Sequence, residues 1–177
     1  MTDEKTSTAF ISQARSFLKD DYLPKIERCL AQLSDEQIWW RPNEQSNSIG
    51  NLLLHLCGNA RQWILSGVGG EEDFRQRQTE FDERRVISRA ELRTRIKSVI
   101  TKVDETLSKF DDSRLLESFQ IQGTSVTGLE AIFHVTEHFS MHTGQIILLT
   151  KLLTASDLHF YDFDGAAPVH RWRSDPA

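Results

Sequence analysis

The chain has 177 residues, of which 38% are hydrophobic and 27% charged, and its formal net charge is −5. This acidic balance argues against nucleic acid as a partner, since phosphate contacts need clustered basic residues, and no apolar run is long enough to span a membrane. We expect a single domain over residues 1–177, with Cys29 and Cys57 as free thiols in the reducing cytoplasm.

The first part of the chain predicts two amphipathic helices. Apolar residues recur at steps of three and four over residues 8–33, with an interruption near Pro24. A capped turn follows and ends at Trp39-Trp40, which we expect to plug the core together. A second helix is predicted from Ser48, a good capping residue, to Gly67.

A long, strongly charged connection follows the second helix at residues 71–87. A loop of this length inside a small domain is either functional or a mobile excursion. We expect most of its side chains to be solvated, with Phe74 and Phe81 pinning it to the body of the protein.

Two further helices are predicted in the second part of the chain. A capping box at Ser88-Arg89-Ala90-Glu91 precedes a clean amphipathic stripe, and an alternating stretch within 115–126 predicts a strand or hairpin arm. The last helix is predicted from Thr127 to about Leu153. Four long helices indicate an all-α fold, a four-helix bundle with a core at about 8–155 and an aromatic tail at 156–177 that packs on it.

Three histidines recur at steps of four on the last predicted helix, at His134, His138 and His142. Side chains four residues apart lie on one face of a helix, and two imidazoles so placed can bind one metal ion. In a bundle, His55 on the second helix can converge with them across the interior. The pairs His134/His138 and His138/His142 have the same spacing, so the spacing alone leaves the choice between them open.

The sequence around these histidines carries a resemblance to a known family. Ser48 to Leu56, followed by Gly58-Asn59 and Arg61, is similar to a second-helix signature. His138 to Ile146 is similar to an H-x-x-x-H-x-G-Q-I pattern on a last helix, and Gln76 to Phe81 resembles a charged stretch between the two. These stretches resemble the DinB/YfiT-like superfamily, most closely its domain-of-unknown-function branch.

This resemblance implies a four-helix bundle, often a homodimer, that binds a divalent metal ion such as zinc or nickel. The ligands that it implies are His55, His138 and His142. The motif thereby favours the later pair and leaves His134 as a pocket residue. Glu137 and Gln145 flank the ligands, and either could orient a ligand ring. Three histidine ligands leave a coordination position open for water or substrate.

The resemblance also implies two classes of function. Some relatives are thiol-dependent S-transferases or isomerases, and others have been regarded as metal-dependent hydrolases. We therefore expect an enzyme of the thiol S-transferase or hydrolase type that acts on a small-molecule substrate, with a low-molecular-weight thiol as cosubstrate. The alternative is a non-catalytic metal-binding protein or a stress-related interaction protein. Phe139 follows His138, so the glutamate of the H-E-x-x-H zinc proteases is absent.

Overall fold

The computed structural model describes residues 2–163, 165 and 167–173. Most of these residues are helical. The α-helices in chain order are α1 (Thr2–Ser16), α2 (Leu23–Ala31), α3 (Asp35–Trp39), α4 (Ile49–Ala60), α5 (Arg77–Asp82), α6 (Arg89–Ser108) and α7 (Gly128–Thr154). Two π-helical segments, Phe17–Tyr22 and Arg61–Val68, extend α1 and α4, and two 3₁₀ turns lie at Asp112–Leu116 and Arg171–Arg173.

Two small antiparallel hairpins complete the fold. Strand β1 (Ser118–Ile121) pairs with β2 (Thr124–Thr127), as the alternating stretch predicts, and β3 (Tyr161–Asp162) pairs with β4 (Val169–His170). The predicted all-α fold is confirmed. Within the described ranges, no helix combines the length and the apolar character needed to cross a bilayer.

Four helical rods enclose one apolar core. They are α1 with α2, α4 with its π-helical extension, α6 and α7, and α4 packs against both α6 and α7. The predicted stripe of α6 is buried along its length and comprises Leu92, Ile96, Val99, Val103 and Leu107. Burial of each such side chain contributes about 1.5–3 kcal/mol, so packing of these faces, more than helix propensity, stabilises the bundle.

The interruption predicted near Pro24 takes the form of a π-helical turn. The backbone N–H of Leu23 donates to the carbonyl of Leu18, five residues earlier, and Pro24 occupies the first turn of α2. Proline has no N–H, and its ring clashes with the carbonyl four residues before it in an α-helix. The wider π turn removes that clash, so the rod continues with a local irregularity.

The C-terminal tail packs on the bundle as far as it is described. Leu158 and Trp172 are buried, and the Lys25 ammonium group lies 4.0 Å from the centre of a Trp172 ring. This confirms the expected packing for the described part, while residues 164, 166 and 174–177 of the predicted tail lie outside the described residues.

The prediction that both tryptophans fill the core is right for Trp39 and wrong for Trp40. Trp39 is 9% exposed, and its indole N–H donates to the carbonyl of Ile87 at 2.9 Å, whereas Trp40 is 41% exposed. Consecutive side chains leave the backbone in different directions, so both rings cannot enter the same core. The Trp39 ring lies directly against Gly50, where a β-carbon would come within 2.7 Å of it.

The expectation that most side chains of the charged connection, residues 71–87, are solvated is confirmed, although the segment is not a structureless loop. This connecting segment contains α5, and Asn51 of α4 anchors it by donating to the carbonyls of Glu80 and Glu83 at 2.8 and 3.1 Å. Glu80 is only 8% exposed. Phe74 is 72% exposed and does not pack against the bundle, contrary to expectation. Phe81 does pack against it, as expected.

We expect Gly50→Ala to destabilise the fold by about 1–3 kcal/mol, the usual cost of overpacking a core. The added methyl group would collide with the Trp39 ring, which its hydrogen bond to Ile87 holds in place. Urea unfolding followed by circular dichroism measures the change. In a Trp39→Leu background the same substitution should cost clearly less, and an equal cost in both backgrounds would contradict the proposed contact.

Candidate metal centre

Three of the predicted histidines come together between two helices. His55 extends from α4, and His138 and His142 extend from successive turns of α7. One ring nitrogen of each lies within 4.8 Å of the other two. The Nε2 atoms of His55 and His138 are 2.9 Å apart. The i,i+4 spacing on α7 and the packing of α4 against it therefore produce the cluster that the sequence predicts.

Hydrogen bonds fix the orientation of two of these rings. His55 Nδ1 donates to Glu80 Oε2 at 2.8 Å, and His142 Nδ1 donates to Gln145 Oε1 at 2.7 Å. Because the Nδ1 atoms carry the protons, the Nε2 lone pairs remain available to a ligand. His142 Nε2 is buried, and within the described part of the chain it has no hydrogen-bond partner. A buried acceptor of this kind is what a metal ion would satisfy.

The surroundings of the cluster favour the neutral form of His138 and His142. Burial, followed by the proximity of His142 and His55, lowers the pKa of His138 to about 3. Burial also lowers the pKa of His142, although its hydrogen bond to Gln145 opposes the shift. Neutral imidazole is the form that binds metal ions, so these two rings are in the binding form at neutral pH.

A buried ion pair between Arg75 and Glu80 contacts the ring of His55. Arg75 Nε and Nη2 donate to the two oxygens of Glu80 at 2.8 and 2.9 Å. Burial opposes ionisation of Glu80, but hydrogen bonds from Arg75 and His55 outweigh it and lower the pKa of the carboxyl group. Glu80 also lies against Gly58, where a β-carbon would come within 1.9 Å of its Oε1. Only glycine at position 58 leaves room for this carboxylate.

Sequence reasoning missed the roles of Arg75 and Glu80. Two signals were available. Glu80 falls in the charged stretch that resembles the family, and Gly58 in the second-helix signature can indicate that another group approaches the helix backbone closely. A run of charges on a connecting segment nevertheless does not indicate which carboxylate turns inward.

His134 lies beside the cluster but outside it. Its Nε2 accepts a hydrogen bond from Asn59 Nδ2 at 3.1 Å, and its ring packs 4.1 Å from that of Trp63. Glu137 lies 3.6 Å from His134 Nδ1, whereas Gln145 bonds the ring of His142. Of the two flanking residues, Gln145 therefore orients a histidine of the cluster and Glu137 faces the neighbouring one.

We expect Glu80→Ala to destabilise the metal-free protein by about 3–5 kcal/mol, because it leaves the buried guanidinium of Arg75 without its carboxylate. Urea unfolding in the presence of a chelator measures the loss. The double variant Arg75→Ala/Glu80→Ala should lose less than the sum of the two single variants. Strictly additive losses would show that the two charges do not depend on each other.

The fold has close counterparts among solved structures. A DinB-like protein from Bacillus subtilis shares 16% sequence identity and a TM-score of 0.63, covering 82% of this chain and 94% of that one. A DinB-like protein from Bacillus cereus shares 20% identity and a TM-score of 0.58, covering 75% and 85%. A conserved protein from Enterococcus faecalis shares 14% identity and a TM-score of 0.61, covering 86% and 97%. At these identities the likeness concerns the fold.

Family membership rests on a separate comparison. No curated protein matches the sequence. The family described as "Protein of unknown function (DUF1572)" matches residues 5–162, which include all three histidines of the cluster and the connecting segment. The chain therefore belongs to the DUF1572 family and has the DinB-like helical-bundle fold, as its histidine motifs predict.

Proposed function

We propose that this protein binds one divalent metal ion through His55, His138 and His142 and uses it in catalysis. The observation that carries the proposal is the convergence of three ring nitrogens on one point, with His142 Nε2 buried and without a partner among the described residues. Leaving a buried acceptor unsatisfied costs free energy, and a metal ion bound by the three rings would remove that cost.

The composition of the cluster favours an open site over a structural one. Among the described residues, the ligand group contains three histidines and neither a cysteine nor a carboxylate. Structural zinc sites are generally closed by four protein ligands, whereas catalytic sites keep a position for water or substrate. Glu80, the nearest buried carboxylate, is already engaged by His55 and Arg75.

The residues around the cluster have distinct tasks in this proposal. Glu80 and Gln145 hold the rings of His55 and His142 in the orientation that directs Nε2 inward. Asn59 and His134 form a polar pair one helical turn along the same two helices. Asn59 Oδ1 is buried and lacks a partner in the described part of the chain, so it is available to a donor on a substrate.

The chemistry that fits this arrangement is that of a thiol S-transferase or a hydrolase. A bound divalent cation lowers the pKa of a coordinated water towards 7 or deprotonates a coordinating thiol. The proposed reactants are a small electrophile and a low-molecular-weight thiol, or a hydrolysable small molecule and water. A non-catalytic metal-binding role is the alternative, and the experiment below separates the two.

Protein purified without an affinity tag should contain about one zinc or nickel ion per chain, measured by plasma mass spectrometry. His55→Ala, His138→Ala and His142→Ala should each lose the metal, because each removes one of three ligands. His134→Ala is the matched control, since it removes a histidine from the same face of α7 outside the cluster, and it should keep the metal. Metal loss in all four variants, or in none, would contradict the assignment.

The same proteins test catalysis. Metal-loaded wild type should accelerate the reaction of a thiol such as cysteine with an electrophile such as 1-chloro-2,4-dinitrobenzene, or hydrolyse a simple ester, and His142→Ala should not. Stoichiometric metal without turnover in either assay would favour the non-catalytic role.

We also propose that two copies associate through α7. An apolar stripe on its exposed face comprises Phe133, Met141, Leu148 and Leu152. These positions fall within about 100° of the helix circumference. Gly144 lies between them, and a β-carbon there would meet no atom of the described residues within 4 Å. If the two α7 helices cross antiparallel at Gly144, the residues seven positions before and after Gly144 face each other. Glu137 of one copy then lies opposite Lys151 of the other.

Leu148→Glu should convert the dimer to a monomer, because it places a carboxylate in the centre of the apolar contact. Light scattering coupled to size-exclusion chromatography measures the mass. Leu116→Glu, which changes a leucine outside α7 that is even more exposed, should leave the dimer intact. A monomeric wild type at micromolar concentration would refute the proposed association.

A further inference from the structure

A cavity lies on a side of α4 away from the histidine cluster. It has a volume of about 640 Å³, opens to the solvent and is bounded by α4, the connecting segment and α6. Cys57 lines it, two positions after His55 and therefore about 200° around the helix from that ring. Glu80 forms the wall between the two sites, since it lines this cavity and also bonds His55. The cavity is thus distinct from the histidine cluster.

The lining combines an apolar floor with a basic rim. The apolar residues are Leu54, Ile87 and Val99, and the basic residues are Arg61, Arg85 and Arg95. The volume lies in the range of about 300–1,000 Å³ that is typical of small-molecule sites. Such a lining suits a ligand with an apolar body and a charged head.

The lining of the cavity has a small excess of positive charge, because it contains three arginines and two carboxylates. Its two carboxylates are both engaged, Glu80 by Arg75 from outside the lining and Glu83 by Arg85. Arg61 lies 3.8 Å from Glu71, and Arg95 pairs with Glu91 one turn away on α6. Exposed ion pairs of this kind contribute about 0–1 kcal/mol, so both guanidinium groups can exchange their partner for a ligand at little cost.

The charged residues of the lining also act on the thiol of Cys57. Burial raises its pKa to about 12; the positive charges of Arg95 and Arg61 oppose that rise, whereas the negative charge of Glu80 adds to it. Both guanidinium groups line the same cavity as the thiol.

We propose that this cavity binds a small organic anion, a carboxylate or a phosphate monoester attached to an apolar group of about the size of one aromatic ring. Arg61 and Arg95 hold the anionic head, because guanidinium groups match carboxylate and phosphate oxygens in geometry and charge. Leu54, Ile87 and Val99 contact the apolar body. The proposal does not depend on a metal ion in the histidine cluster.

Cys57 provides a local test in the full-length protein. Its modification by methyl methanethiosulfonate at pH 9 is followed by peptide mass spectrometry, with Cys29, which is buried in the core, as an internal control. Saturating phenyl phosphate or benzoate should slow the modification of Cys57 at least tenfold, and the more effective of the two identifies the preferred head group. Benzyl alcohol, which has the ring without the charge, should protect little.

Charge variants complete the test. Arg61→Gln/Arg95→Gln should abolish the protection and the one-to-one binding of phenyl phosphate in calorimetry, and the single variant Arg95→Gln should weaken both. Arg93→Gln is the matched control, because Arg93 lies on α6 but bonds Glu27, and it should bind as wild type does. Equal protection by benzyl alcohol, binding that survives in the double variant, or no one-to-one binding of either anion would overturn the proposal.

Discussion

The contact between Glu80 and His55 is the interaction on which the rest of the site depends. A carboxylate that is 8% exposed must be hydrogen-bonded, and His55 and Arg75 both donate to it. The same bond gives His55 its proton on Nδ1 and directs its Nε2 towards α7. One buried charge therefore docks the connecting segment onto α4 and sets the tautomer of a histidine in the cluster. This contact requires glycine at position 58, because any side chain there would displace the carboxylate of Glu80.

Glu80 also lies between the histidine cluster and the cavity lined by Cys57. It faces the histidine cluster on one side and the anion cavity on the other. An anion bound by Arg61 and Arg95 would repel the carboxylate of Glu80 and would thereby act on the bond between Glu80 and His55. Any resulting coupling must be reciprocal, since a ligand that weakens metal binding is itself bound more weakly when the metal is present. A single side chain thus offers a physical route between the two sites.

The parts of this structure that follow from the sequence are those set by local periodicity. The stripe of α6 and the i,i+4 histidines of α7 are properties of one helix each, so spacing alone indicates which side chains share a face. His55 lies far away in sequence; the predicted bundle allowed it to converge with these histidines, and the resemblance identified it as a ligand. Glu80 and Arg75 were not predicted, because their burial is set by how a connecting segment docks on α4. Segment docking depends on contacts that are distant in sequence, such as those of Asn51 with backbone carbonyls.

The charge balance of the site favours anionic partners for a bound metal. Burial lowers the pKa of His138 and His142 and so favours their neutral form, and neutral imidazole ligands leave a divalent cation with its full charge. Glu80 carries the nearest buried negative charge, but the bidentate pair with Arg75 compensates it. The uncompensated positive charge would therefore attract a thiolate in preference to a neutral donor, and the field would be strong because the cluster is buried. The proposed thiol chemistry thus depends on Arg75 as well as on the three histidines, although Arg75 would not contact the metal ion.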